Sequence, residues 1–224
     1  PADWTQGPHG FFSLNNYKNI TYAVWLDKRD AEISVPGTQG LRYAYSMDSG
    51  KSWSKNITLD DAVCACCWTT TKIDRNGKLF VLYRDKQPSD MAIGVINNSD
   101  LKFTRLSTVG AFNWEFAGCP HIGGGLAIKE KGRTKELHAV VGTRKQEAAG
   151  FYHLWSSDNG RSWSAPKQLG DASSTHGDIV LDSKKALVAV WDMINPENND
   201  GSTSIYSSWS SNGRDWSQPL IISA

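Results

Sequence analysis

Apolar residues recur at alternate positions in short runs along the chain, and the three-to-four spacing of an amphipathic helix is absent throughout. The runs are rich in Val, Ile, Tyr, Trp and Thr, and clusters of Gly, Asn, Asp and Ser separate them, which is the signature of strands joined by tight turns. Read this way, the chain holds four groups of four strands. The first group covers 10–14, 20–26, 41–46 and 52–59, and the second 68–73, 79–83, 91–96 and 103–109. The third covers 124–128, 136–141, 150–155 and 162–169, and the fourth 177–181, 186–191, 203–209 and 215–222.

A repeated motif supports this grouping. Ser46-Met-Asp48-Ser-Gly50-Lys-Ser52-Trp53 returns as Ser156-Ser-Asp158-Asn-Gly160-Arg-Ser162-Trp163, and in a shortened form as Asn212-Gly213-Arg-Asp-Trp216. Trp53 and Trp163 are about twice as far apart as Trp163 and Trp216, so the first gap holds two periods of about 50–60 residues. Asn98-Ser-Asp100-Leu-Lys-Phe103 fits the missing copy, with Phe in place of Trp. In each copy an Asp opening the turn accepts backbone N–H groups, Gly supplies positive φ, and the aromatic packs between neighbouring sheets. Four-stranded units repeated at this length predict an all-β fold, a β-propeller with four blades at approximately 1–60, 61–110, 111–170 and 171–224.

Composition narrows the function. The 224 residues carry 24 Lys and Arg against 23 Asp and Glu, a net charge of +1, so no basic field points to nucleic acid. No uncharged apolar run reaches the ~20 residues that span a bilayer. The chain opens Pro1-Ala2-Asp3 without Met, which reads as processed or cut from something longer.

The two full motif copies resemble the Asp-box, or BNR, repeat of sialidases and sialidase-like propellers. A narrower likeness is carried by Val63-Cys64-Ala-Cys66-Cys67, Tyr83-Arg84-Asp85, Trp114 and Gly118-Cys119-Pro120, with His9-Gly10 and Trp25-Leu26-Asp27. These resemble a bacterial group labelled exo-sialidase. The resemblance implies a six-bladed ring and an extracytoplasmic setting, periplasmic or extracellular. Two blades upstream, or a second chain, would then complete the ring; a genuine four-bladed ring is the alternative.

In a propeller, loops entering the first strand and leaving the second of each blade share one rim. His9, Cys64, Cys66, Cys67, Cys119, His121 and His176 stand at the entries to first strands. Asp27 and Arg29, Arg84 and Asp85, Arg144 and Lys145, and Asp192 leave the second strands. Thiols, imidazoles and charges are therefore expected around one mouth. The cysteines admit three readings. They pair as disulfides, with Cys66 or Cys67 joined to Cys119 across blades two and three. They join the histidines as ligands of copper or zinc. Or they remain free thiols.

The resemblance also implies a hydrolase site, in which an arginine cluster clamps a substrate carboxylate and Tyr, Glu and Asp do the chemistry. Arg29, Arg84 and Arg144 are candidate clamps, Asp85 the acid/base, and Tyr83 and Glu115 the remaining pair. Two features oppose this. The family's Arg-Ile-Pro segment is missing, and Tyr83 precedes Arg84 in a strand, so the two side chains should take opposite faces. An Arg84–Asp85 ion pair between blades is the competing structural role. Recognition without catalysis is the third class, with Trp4, Trp68 and Trp114 as candidate contacts for a glycan, another small ligand or a partner protein.

Overall fold

The computed structural model describes residues 7–30, 38–197 and 200–223. Among these are sixteen strands in four antiparallel sheets, each holding four strands consecutive in the chain. The first contains β1 (His9–Tyr17), β2 (Ile20–Asp27), β3 (Thr38–Ser46) and β4 (Ile57–Cys64); the second β5 (Thr70–Ile73), β6 (Leu79–Arg84), β7 (Met91–Ile96) and β8 (Phe103–Val109). The third contains β9 (Gly124–Lys131), β10 (Thr134–Thr143), β11 (Gly150–Ser156) and β12 (Lys167–Gly170); the fourth β13 (Gly177–Leu181), β14 (Leu187–Ile194), β15 (Thr203–Ser210) and β16 (Leu220–Ile221). These are propeller blades, as the period predicts. The helical content described is two short 3-10 turns, Lys28–Asp30 and Gln146–Ala148. No helix among the described residues is long and apolar enough to cross a membrane.

Strand alternation explains how the sheets stack. Leu79, Val81 and Tyr83 of β6 pack into a core with Tyr22, Val24, Leu41 and Tyr43 of the first sheet. The intervening Phe80 and Leu82 pack the other way, against Leu126, Leu137 and Val141 of the third. On β10, Val140 faces Ile179, Leu187 and Trp191 of the fourth sheet instead. The two central sheets are thus buried on both faces, which suits near-continuous apolar strands such as β6 and β7. First strands line up in the same order, β1 beside β5, β5 beside β9 and β9 beside β13. Among the described residues no comparable packing joins β13 to β1.

The repeated turns are self-contained. The Asp48 carboxylate accepts the Ser52 amide at 2.8 Å and the Ser52 hydroxyl at 2.6 Å, while the Gly50 amide donates to Ser46 Oγ at 2.8 Å. Asp158, Ser162, Gly160 and Ser156 repeat the arrangement at 2.9, 2.6 and 2.8 Å. Gly50 and Gly160 have φ of 86° and 83°, which only glycine adopts without strain. These bonds hold both carboxyls down at about 2. The signature aromatics each reach back to the preceding sheet. Phe103 packs on the first core, Trp163 donates to Ser107 Oγ at 3.1 Å, and Trp216 donates to His153 at 3.3 Å. Among the described residues Trp53 has no such partner sheet, and it stays 37% exposed. The outermost strands begin later than the alternation predicts, at Ile57, Lys167 and Leu220, because the residues after each Trp close the turn before pairing starts.

The same asymmetry marks both end sheets. Among the described residues, apart from Phe116, every large apolar side chain left exposed belongs to the first or fourth unit, Phe12, Leu14 and Trp53 in one and Trp209, Leu220 and Ile222 in the other.

Between the third and fourth sheets lies a buried imidazole pair. His138 and His153 stack with ring centroids 5.3 Å apart and share an Nδ1···Nε2 contact of 3.1 Å. Burial, reinforced by Arg214 and by Lys129 beside His138, pulls both down to about 3, although Glu136 stands 3.4 Å from His138 Nε2. Both rings are therefore neutral in the fold, whereas an unfolded histidine titrates near 6.5. Below that pH the unfolded chain binds more protons, and stability should fall by about 1.4 kcal/mol per pH unit for each ring involved. Urea unfolding from pH 7 to pH 4 should show this slope above the range where the depressed carboxyls protonate. A His138→Gln/His153→Gln variant should be flatter; an unchanged slope would contradict the assignment.

Candidate functional site

The four cysteines meet at the rim between the first and second blades and the loop entering the third. Cys64 ends β4 opposite Thr38, and Gln39 holds the next residue by donating to Ala65 O at 3.0 Å. Cys64 is paired with Cys67 and Cys66 with Cys119, with Cα separations of 5.7 and 6.0 Å. Cys64 and Cys66 sulfurs also lie 3.9 Å apart. His121 joins this group: one ring nitrogen and the sulfurs of Cys66 and Cys119 all fall within 4.8 Å of one another. Cys64, Cys66 and Cys67 form a second set on the same criterion, and neither set includes His9 or His176.

Cys119 stands on the 110–123 loop, and the rim cations explain how that loop is held. Arg84 is buried and directs its guanidinium to three backbone carbonyls: Ile122 at 2.6 Å, Gly142 at 2.7 Å and Ser89. It also sits over the Trp114 ring, 5.3 Å from the centroid. Burial lowers its pKa to about 10 despite Asp90, so it remains a cation at neutral pH. Lys86 donates to Gly118 O at 2.9 Å and Lys145 to Phe112 O at 2.9 Å. Asp90 accepts the Asn113 amide at 2.6 Å. No sequence pattern marks Lys86 or Asp90 for this work, because their partners are backbone atoms of a distant loop.

The other proposed catalytic groups are similarly engaged. Asp85 pairs with Arg105 at 3.0 Å, not with Arg84 as the alternative ion pair supposed; Arg105 on β8 lies across the hairpin, while Arg84 turns to the other face. Tyr83 points into the core with the first sheet, as alternation predicts, and donates to Asp60 at 3.2 Å. Burial pushes its hydroxyl pKa far upward. Arg144, exposed, donates to Ala172 O at 2.7 Å, and Glu115 is exposed. Arg29 pairs with Asp27 at 2.7 Å. His9 belongs to this last group, with Nε2 3.3 Å from Asp27. Burial raises the Asp27 pKa, but hydrogen bonds from Arg29 and Trp25 outweigh it and hold the group at about 2. Trp4 lies outside the described residues.

His176 occupies a separate cleft of about 470 Å³, beside Trp68, Asp178, Asp192 and Ile205. Its ring stacks on Trp68 at 5.3 Å, and Nδ1 meets Asp192 Oδ2 at 2.5 Å. Asp192 is fixed in turn: its other oxygen accepts the Thr175 hydroxyl at 2.6 Å and the Thr175 and His176 amides at 2.9 and 2.7 Å. Burial raises the carboxyl, but these bonds bring it down to about 2. Trp68 is backed by Gly123, where any Cβ would stand 2.3 Å from the indole. The carboxylate on Nδ1 fixes the orientation of the ring and leaves Nε2 as its second polar atom. The sequence places His176 and Asp192 on one rim; it cannot show that they touch.

No family model matches the sequence, and no curated protein does. Solved structures do match. An alpha-L-arabinofuranosidase from Fusarium graminearum aligns with 100% of this chain at 10% identity and TM-score 0.64, over 67% of its own length. A Hadza microbial sialidase aligns with 91% at 18% identity and TM-score 0.53, and NanB sialidase from Streptococcus pneumoniae with 83% at 11% and 0.53. The chain spans 42% and 29% of those two sialidases. At such identities the likeness concerns the fold alone, a β-propeller.

An Arg84→Met variant leaves three carbonyls without their donor, at least two of them buried with the guanidinium. Chemical denaturation should show a loss of about 3 kcal/mol or more, because an unsatisfied buried group costs about 1–3 kcal/mol. Arg144→Ala, at an exposed site, should stay within about 1 kcal/mol. Equal, small effects would mean Arg84 is not the anchor described.

Proposed function

We propose that this chain is an extracytoplasmic, sialidase-like propeller that binds a neutral sugar or similar hydroxyl-rich ligand without hydrolysing sialosides. One observation carries the reading: the rim cations that would clamp a sialic acid carboxylate are engaged elsewhere. Arg84, Lys86, Lys145 and Arg144 hold backbone carbonyls, and Arg29 holds Asp27. Bidentate capture of a carboxylate needs a guanidinium edge; Arg84 and Arg29 have committed theirs, so Arg144, with one Nη1 bond to Ala172 O, has neither of them to complete a clamp. The turn motifs and the Cys-x-Cys-Cys segment support the Asp-box kinship, and paired cysteines suit an oxidising compartment, periplasmic or extracellular.

The His176 cleft is the proposed ligand site. Asp178 accepts from hydroxyls, the imidazole Nε2 hydrogen-bonds to them, and Ile205, 39% exposed, offers apolar contact to a sugar's C–H face. Its lining holds two carboxylates, Asp178 and Asp192, and no lysine or arginine, which disfavours an anionic sugar. Similar structures are named as sialidases, an arabinofuranosidase and an ulvan lyase, proteins whose names share a carbohydrate ligand class. The copper or zinc reading of the cysteines and His121 rests on the two ligand sets described above.

The apolar outer faces of the first and fourth sheets support a second part of the proposal. Further blades, from upstream in the same polypeptide or from a second chain, cover them and complete the ring. Trp53 then stacks on a preceding sheet as Trp163 and Trp216 do.

The test uses a fluorogenic sialoside and an array of neutral and acidic glycans. No turnover is expected, with binding confined to neutral sugars and weakened at least about tenfold by His176→Ala, the loss of one positioned hydrogen-bonding group in a site. Sialoside turnover above the buffer blank would overturn the reading.

A further inference from the structure

We infer that Cys66, Cys119 and His121 form a soft-metal site that opens when the disulfide joining the two cysteines is reduced. The argument begins with the difference between the two disulfides. Cys64 and Cys67 are 3% and 2% exposed, so a reductant has little access to their bond. Cys119, by contrast, lies on an exposed stretch of loop with His121, and Cys66 is 8% exposed. The outer pair is the one a small dithiol reaches.

Breaking that bond does not release the loop. Its backbone is held independently by Lys86 at Gly118, Lys145 at Phe112, Arg84 at Ile122 and Asp90 at Asn113. The freed sulfurs therefore stay near the imidazole, within the 4.8 Å span that all three donor atoms already share. Such a span matches donors around a single ion, since Zn–S and Zn–N distances are about 2.3 and 2.0–2.1 Å. Lys86, donating to the carbonyl just before Cys119, adds a positive charge that favours thiolate.

The chemistry balances with one named co-reactant. A dithiol transfers two electrons and two protons to the Cys66–Cys119 bond and leaves as its cyclic disulfide. Metal binding then displaces both thiol protons, giving two thiolates and one imidazole on the ion. Soft thiolates select Cu(I), which accepts three ligands, over ions that require four or more. Return of the two electrons to the cyclic disulfide, which takes two protons from solvent and leaves as the dithiol, rebuilds the Cys66–Cys119 bond and expels the ion, so the site is loaded under reducing conditions and empty under oxidising ones. This inference stands apart from the proposed sugar site and does not depend on it.

The test starts from the whole chain as purified, treated anaerobically with limiting dithiol. Thiol counting should rise from none to two, and only the reduced form should take up one Cu(I) in competition with bathocuproine. His121→Ala keeps the disulfide and both thiols. It should weaken binding by roughly tenfold or more, since even outer partners of a metal site cost 10–100-fold. Cys119→Ser should abolish uptake. Two freed thiols with no bound copper, or His121→Ala binding as tightly as the parent chain, would overturn the proposal. So would release of all four thiols in one step. Neither glycan binding nor sialoside turnover enters these readouts.

Discussion

Face-to-face stacking of twisted sheets is the constraint on which the rest of this structure depends. A four-stranded antiparallel sheet is too small to bury both of its faces by itself, and here each of the central sheets is covered only because it has a neighbour on either side. Alternate residues of β6 divide their contacts between two cores, Val81 to one and Leu82 to the next. This division also fixes where polar groups can go. A strand with both faces committed to packing delivers functional residues mainly from its ends: Cys64, Arg84 and His176 stand at or next to strand ends, Asp192 two residues inside the end of β14, and Cys119 on the loop before β9.

The architecture was largely legible from the residues, and the reasons are physical. Period-two alternation repeats sixteen times, and the Ser-x-Asp-x-Gly turns recur at blade spacing, so strand order and phase follow from pattern alone. The gathering of Cys64, Cys66, Cys67, Cys119 and His121 was also foreseeable, because loops entering adjacent first strands must share a rim. What the pattern could not convey was which rim group each side chain would meet. Arg84 and Asp85 are adjacent and oppositely charged, yet one reaches across to Ile122 and Gly142 while the other meets Arg105. His9 and His176 share the predicted register with the cysteines but are drawn away by Asp27 and Asp192.

Those two carboxylates show a common way of building the rim. Each ends or nearly ends a second strand, each is held at about 2 by several donors, and each fixes a histidine at the start of, or just before, the strand alongside. The difference lies in surroundings. Asp27 is fully buried and also meets Arg29 and Arg42, so its histidine contributes to a charge-compensated network. Among the described residues no arginine pairs with Asp192, and its histidine remains 58% exposed beside the cleft. The same local geometry therefore yields a structural brace in one blade and an accessible imidazole in another.

The Asp48 turn closes as tightly as the Asp158 turn, although Trp53 lacks the neighbour that Trp163 enjoys. Each hairpin is thus complete before any stacking occurs. A unit of this kind can be duplicated in a gene and appended without redesigning its bends, because only the faces between copies must adapt to one another. Divergence at blade tips, such as cysteines in one copy and an imidazole in another, then proceeds on a scaffold whose corners are already secured.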